Sequence, residues 1–197
     1  MFLPGASGNV QFWKPVAQRL RHPGVHRFFS WPGFGGAQPE PNVKCFADLV
    51  MRVTREIDGP VDIFAQSMGG VIAVLAALEK PDLVRHLVLS VTSGGIDMAS
   101  FAAVDWRTKS RQRNPDDPDW FEAERSDLTA GLRTVSTPVL LLWGDADPIS
   151  PVEVGRRLAE LLPRSELIVF PGGTHDLAHD RADEVVPFIE RHLSCAV

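Results

Sequence analysis

A chain of 197 residues is enough for one domain with a sizeable core and short for two. Forty-four per cent of its residues are apolar and 23% charged, the composition of a soluble globular protein, and a mild net charge of −5 gives no reason to expect nucleic acid, whose binding domains carry concentrated basic charge. No stretch approaches the roughly 18–20 apolar residues that span a bilayer, so neither nucleic acid nor a membrane is an expected partner.

Short apolar runs alternate with helical patterns along the chain, the signature of βα units around a parallel sheet. MFLP (1–4) reads as a stub of strand, without the basic segment and extended apolar run of a signal peptide. It is followed by the loop GASGN, a helix around 10–21, and a second strand, VHRFFSW (25–31), closed by the breaker-rich PGFGGAQPEP. FADLVMRVTREI (46–57) sets Phe46, Leu49, Val50 and Val53 on one helical face. VDIFA (61–65) is a third strand, MGGVIAVLAALEK a helix closed by Pro81, and HLVLSV (86–91) a fourth strand ending in TSGG. VLLLW (139–143), a helix around 151–162, ELIVF (166–170) and a helix near 181–193 complete the series. The strands are apolar throughout rather than alternating, as strands buried on both faces are. The expected fold is therefore α/β, a three-layer α/β/α sandwich with a mostly parallel sheet of about six strands.

Residues 96–136 interrupt the alternation. They are polar, carry Trp106, Trp120 and the turn-rich NPDDPDW, and include the one short basic run, WRTKSRQR at 106–113. They are read as a small cap inserted into a single domain spanning 1–197, laid over one edge of the sheet. Cys45 and Cys195 lie far apart, lack metal or redox spacing, and read as free thiols, which favours a cytoplasmic location.

Ligands of open parallel sheets bind at the carboxyl ends of the strands, so the residues following each strand are the ones to inspect. Gly5-Ala6-Ser7-Gly8 follow the first strand, Ser30-Trp31-Pro32 the second and Ser67 the third. Thr92-Ser93-Gly94 follow the fourth, Asp145 and Asp147 the fifth, and His175 the sixth. A serine, an acid and a histidine thus converge on one rim in the chain order Ser, Asp, His. His175 and His179 have helical spacing, yet no third ligand has a suggestive spacing, so no metal is expected. GFGG is not G-x-G-x-x-G between a strand and a helix, and no dinucleotide or other cofactor is expected.

The order and spacing of these motifs resemble the α/β-hydrolase superfamily over nearly the whole chain. FAQSMGG resembles the nucleophile elbow with Ala65 in place of the first glycine, LLLWGDADPISP the strand-plus-acid motif, and FPGGTHD the histidine loop. LPGASGNVQFW resembles the oxyanion loop with Pro4 in place of the usual histidine. The sequence as given begins inside what would be the superfamily's third strand; the two strands before it lie at a sheet edge and carry no catalytic residue, and a sheet without them has an edge through which a homodimer could form.

The resemblance implies a small serine esterase acting on small carboxylic acyl esters. Ser67 would be the nucleophile, activated because His175 accepts its proton, with Asp147 holding the imidazole; Asp145 is the competing acid. The backbone N–H groups of Ala6 and Met68 would bind the oxyanion. Trp31, Phe34, Trp106 and Trp120 are candidates for the pocket wall. Thioester, lactone, amide or C–C cleavage by the same triad, and a non-catalytic ligand-binding module on the same fold, are the alternative readings.

Overall fold

A computed structural model of the chain describes residues 1–113, 117–118 and 127–194. Five strands form one sheet in the order β1 (Phe2–Leu3), β2 (Val61–Gln66), β3 (Val84–Ser90), β4 (Val139–Gly144) and β5 (Ser165–Phe170), each parallel to its neighbour. The three-layer α/β architecture is the expected one, with one strand fewer. Residues 25–31 do not form a strand of their own but make a single bridge, Phe28 to Phe2. The cause lies in β1. It is two residues long, and both of Phe2's outward-facing backbone groups are already used, its N–H by Arg27 O (2.8 Å) and its O by Phe29 N (3.0 Å). Pro4 has no N–H with which to extend the ladder.

Side chains of successive strand residues point to opposite faces, and both faces are covered. Ile63, Ala65, Leu87, Leu89, Leu141 and Trp143 face one buried cluster, closed by α2 (Phe46–Arg55), α3 (Met68–Glu79) and α6 (Val152–Leu161). Phe64, Val88, Leu140 and Leu142 face a second, closed by α1 (Lys14–Ala17), α7 (Leu177–Asp180) and α8 (Ala182–Leu193). This is why the strands read as unbroken apolar runs. The helix expected at 10–21 shrinks to α1, because residues 9–14 instead form successive tight turns, Phe12 N to Asn9 O and Lys14 N to Gln11 O. Trp13 is fully buried there, its indole N–H donating to Leu3 O at 3.0 Å.

The segment between β3 and β4 carries a short 3-10 turn (Ala99–Phe101), α4 (Trp106–Arg113) and α5 (Thr129–Leu132). Two backbone hydrogen bonds tie it to the strand-end loops, Leu128 N to Gly95 O and Val104 N to Pro148 O, each 2.8 Å. Cys45 is exposed at the start of α2, its thiol donating to Asp48 Oδ2 at 3.3 Å; Cys195 lies outside the described residues. Among the described residues, no helix is long and apolar enough to cross a membrane.

The amino-terminal end of the sheet holds a cluster of imidazoles. His86 Nδ1 lies 2.7 Å from Asp62 Oδ1, and the His192 ring packs edge-on against His86 with centroids 5.2 Å apart. His192 Nε2 donates to Leu87 O at 3.1 Å. Burial, reinforced by the neighbouring His86, lowers the His192 pKa from 6.5 to about 4. A base depressed by folding contributes its stability fully above the unfolded value and loses it as pH falls towards the folded one. The unfolding free energy of the wild type, read by urea denaturation, is therefore expected to drop between about pH 7 and about pH 4.5 by up to about 2–3 kcal/mol more than that of His192→Gln. Equal drops would locate the acid sensitivity elsewhere.

Candidate active site

The turn from β2 into α3 is built around Ser67, whose backbone sits at φ 52 and ψ −122, a region that side-chain-bearing residues rarely enter. The turn is tight because α3 starts against the end of β1. A Cβ on Gly69 would lie 2.4 Å from Pro4 O and 2.9 Å from Leu3 O. Ala65 is fully buried in register with Leu3 and Leu89, so this position takes a methyl group but little more. The loop after β1 crosses directly over the turn, since a Cβ on Gly5 would lie 3.2 Å from Ser67 Cβ and 2.3 Å from Gln66 Oε1.

The loops after β4 and β5 are pressed together in the same way. A Cβ on Gly144 would come within 2.1 Å of Gly173 O, and Ala146 N donates to that oxygen at 3.0 Å. This contact brings Asp147 and His175 together. Asp147 Oδ2 is 2.7 Å from His175 Nδ1, while its Oδ1 accepts the N–H groups of Ile149 (2.8 Å) and Ser150 (3.2 Å). Asp145 does a different job: its Oδ1 accepts Gly172 N at 2.6 Å and braces the histidine loop. Gln66 Nε2 donates to His175 O at 3.3 Å, tying the serine turn to the histidine loop. With Nδ1 held by the carboxylate, Nε2 is the imidazole nitrogen left to exchange a proton.

Ser67, Met68 and His175 open on one cavity of about 500 Å³. Val71, Val91, Ile96, Met98, Val104 and Trp106 supply much of its apolar wall. Exposed Asp97, Asp105 and Asp127 stand on its lining, each accepting the N–H of the residue two positions on. The hydroxyl and N–H of Thr129 hold the Asp127 carboxyl below the usual carboxylate range.

Two of the four expected wall residues lie elsewhere. Trp31 and Phe34 are fully buried beneath the loop after β1; the Trp31 indole donates to Gly5 O at 2.8 Å, and Phe34 packs against Gly8. They carry that loop rather than line the cavity, because the segment after residue 25 folds under it instead of continuing as a strand. Trp106 does line the cavity, and Trp120 lies outside the described residues. Ala6 is half-buried, one residue beyond the Gly5 contact with Ser67, and is not among the described residues lining the cavity. His179 is exposed on α7, bonded to Asp180 Oδ1 at 2.9 Å and packed on Phe12. Among the described residues, no group of three or more His, Cys, Asp or Glu side chains could hold a metal ion.

Sequence reasoning assigned no role to Thr92 or to the side chain of Gln66. Thr92 is fully buried, and its hydroxyl donates to Ser67 O at 2.6 Å. TSGG was legible as a strand-end loop, but nothing in it signals a partner 25 residues upstream.

A model of the "Alpha/beta hydrolase family" matches residues 1–130, and one described as "TAP-like protein" matches residues 105–194. A poly(3-hydroxyalkanoate) depolymerase of Ectopseudomonas oleovorans is 26% identical over 232 residues, 96% of this chain and 82% of that protein. A pimeloyl-(acyl-carrier protein) methyl ester esterase of Nitrosomonas europaea is 27% identical over 247 residues, 99% of this chain and 92% of that protein. Among solved structures, a thermophilic esterase from Thermogutta terrifontis superposes with a TM-score of 0.79 at 21% identity, covering 98% of this chain and 88% of that one.

The crowding at Gly69 is testable without any substrate. Gly69→Ala gains about 1 kcal/mol of helix propensity but overpacks the β1 contact at a cost of about 1–3 kcal/mol, and the loss is expected to win. Gly59→Ala, with open space around its Cβ, is the control and should be neutral or stabilising in urea denaturation.

Proposed function

The chain belongs to the alpha/beta hydrolase family, and from that premise we propose that it cleaves small carboxylic esters through an acyl-enzyme formed on Ser67. The observation that carries the reading is the Asp147–His175 pair at 2.7 Å, whose imidazole lines the cavity shared with a serine held at φ 52. The relative named a methyl ester esterase, matched over 99% of this chain, supports an ester as the bond.

In the proposed cycle Ser67 Oγ attacks the ester carbonyl carbon as its proton passes to His175 Nε2. The negative charge gathers on the former carbonyl oxygen, near the start of α3, the positive end of the helix dipole. The tetrahedral intermediate collapses; the C–O bond breaks and the alcohol departs with the proton from His175. Water then attacks the acyl-enzyme, giving one proton to His175, which returns it to Ser67 Oγ as the acid leaves. Asp147 remains ionised throughout and stabilises the transient imidazolium. Met68 N–H and Ala6 N–H bind the oxyanion. The apolar wall of Val71, Ile96, Met98 and Trp106 receives an aliphatic acyl chain, and a cavity of about 500 Å³ accommodates a short to medium one.

A fluorophosphonate probe is expected to label Ser67, with short p-nitrophenyl esters turned over; a folded protein that takes no label would remove the nucleophile assignment. His175→Ala and Asp147→Asn should each lower kcat by about 10³–10⁴. Asp145→Asn should cost far less, since Asp145 braces the loop without touching the imidazole, and the reverse ranking would exchange the two acids. His179→Ala should leave turnover unchanged. Trp106→Ala should raise KM for longer acyl esters more than for acetates, measured across a chain-length series; uniform effects would take Trp106 out of the acyl wall.

A further inference from the structure

The carbonyl of Ser67 and the N–H of Met68 belong to one planar peptide group and point in opposite directions. Whatever holds that oxygen therefore aims that N–H. Ser67 O accepts two hydrogen bonds, from Gly70 N at 2.9 Å inside the first turn of α3 and from Thr92 Oγ1 at 2.6 Å. The direction of the second is fixed: a carbonyl oxygen only accepts, and Gly94 N donates to the same Thr92 oxygen at 3.0 Å. The helix bond alone already satisfies Ser67 O, so the threonine is not needed to rescue a buried acceptor.

The fold goes to some cost to bring that hydroxyl there. Between Ser90, whose O accepts Ser67 N at 3.0 Å, and Thr92 lies Val91, a β-branched residue at φ 46. Strain of this kind persists only where the surroundings over-determine it. The turn it makes lets consecutive parts of one strand end grip the N–H and the C=O of Ser67 together. Space has been cleared as well, since a Cβ on Gly70 would lie 2.4 Å from Thr92 Oγ1.

We propose that Thr92 is a positioning residue which, through the peptide group shared by Ser67 and Met68, aims and polarises the oxyanion-binding N–H of Met68. This rests on the assignment of Ser67 as nucleophile. A donor on the carbonyl side strengthens the N–H on the other side by about 10–30% in a hydrogen-bonded chain, and it removes the freedom of the peptide plane to tilt. Both effects act where charge develops in the transition state and leave substrate binding alone.

The test compares Thr92→Val, which keeps the shape and deletes the hydroxyl, with Thr92→Ser, which restores it. Removing an oxyanion donor outright costs about 10²–10³ in rate, so mis-aiming one is expected to lower kcat about 10- to 100-fold in Thr92→Val, with KM changed less than about threefold. The affinity of a trifluoromethyl ketone, which forms a tetrahedral oxyanion on the serine, should fall in parallel with kcat, and Thr92→Ser should recover both. A merely structural threonine would lower thermal stability without moving that affinity. Thr92→Val with wild-type kcat overturns the proposal, as does an equal loss in Thr92→Ser. If Thr92→Val does not fold, Thr92→Ala decides, because it deletes the hydroxyl without placing a methyl group against Ser67 O: the same loss of kcat and of trifluoromethyl ketone affinity supports the proposal and wild-type kcat overturns it. Absence of fluorophosphonate labelling in the wild type would instead sink the nucleophile assignment and this inference with it.

Discussion

The constraint on which the site depends is the backbone of a single residue. Ser67 at φ 52 turns a strand directly into a helix, and that conformation persists only because everything around it is small or tied down. Gly69 lets α3 rest on the carbonyls of β1, Ala65 fits between Leu3 and Leu89, and Gly70 makes room for Thr92. A strained residue held from several sides cannot relax when a substrate arrives, and a site that does not reorganise is the one that best stabilises developing charge.

The second half of the site follows the same logic with different atoms. Gly144 and Gly173 allow the loops after β4 and β5 to touch backbone to backbone, and that contact decides which of two nearby acids meets the imidazole. Asp147 is buried and faces His175, whereas Asp145 is exposed and spends its oxygen on Gly172. Gln66 joins the two halves by reaching from the serine turn to the carbonyl of His175. Side chains with chemistry are thus few, and most of the supporting structure consists of glycines and backbone groups.

This division explains what was legible in the sequence. Strands buried on both faces give apolar runs that betray themselves, and the residues following each run fall on one rim, so Ser67, Asp147 and His175 could be listed in advance as candidates on it. The pairing of residues 25–31 could not, because it depends on how much hydrogen-bonding capacity the two residues of β1 leave over. Trp31 and Phe34 misled for a related reason: an aromatic after a strand reads equally as wall or as foundation, and only the path of the loop after β1 makes them foundation. Thr92 was hidden differently. Its significance lies in a hydrogen bond to a backbone oxygen, and backbone atoms leave no mark in a sequence.

The bond from Leu128 N to Gly95 O joins two points of the chain between β3 and β4 that lie far apart in sequence. What lies between them is, in effect, a loop whose ends are already closed. The entropic cost of lengthening such a loop grows only logarithmically, about 0.6 kcal/mol for each doubling. Ser67, Asp147 and His175 all stand outside it. Insertions or deletions between Gly95 and Leu128 therefore cost little in chain closure, provided that they keep the bond from Val104 N to Pro148 O beside Asp147.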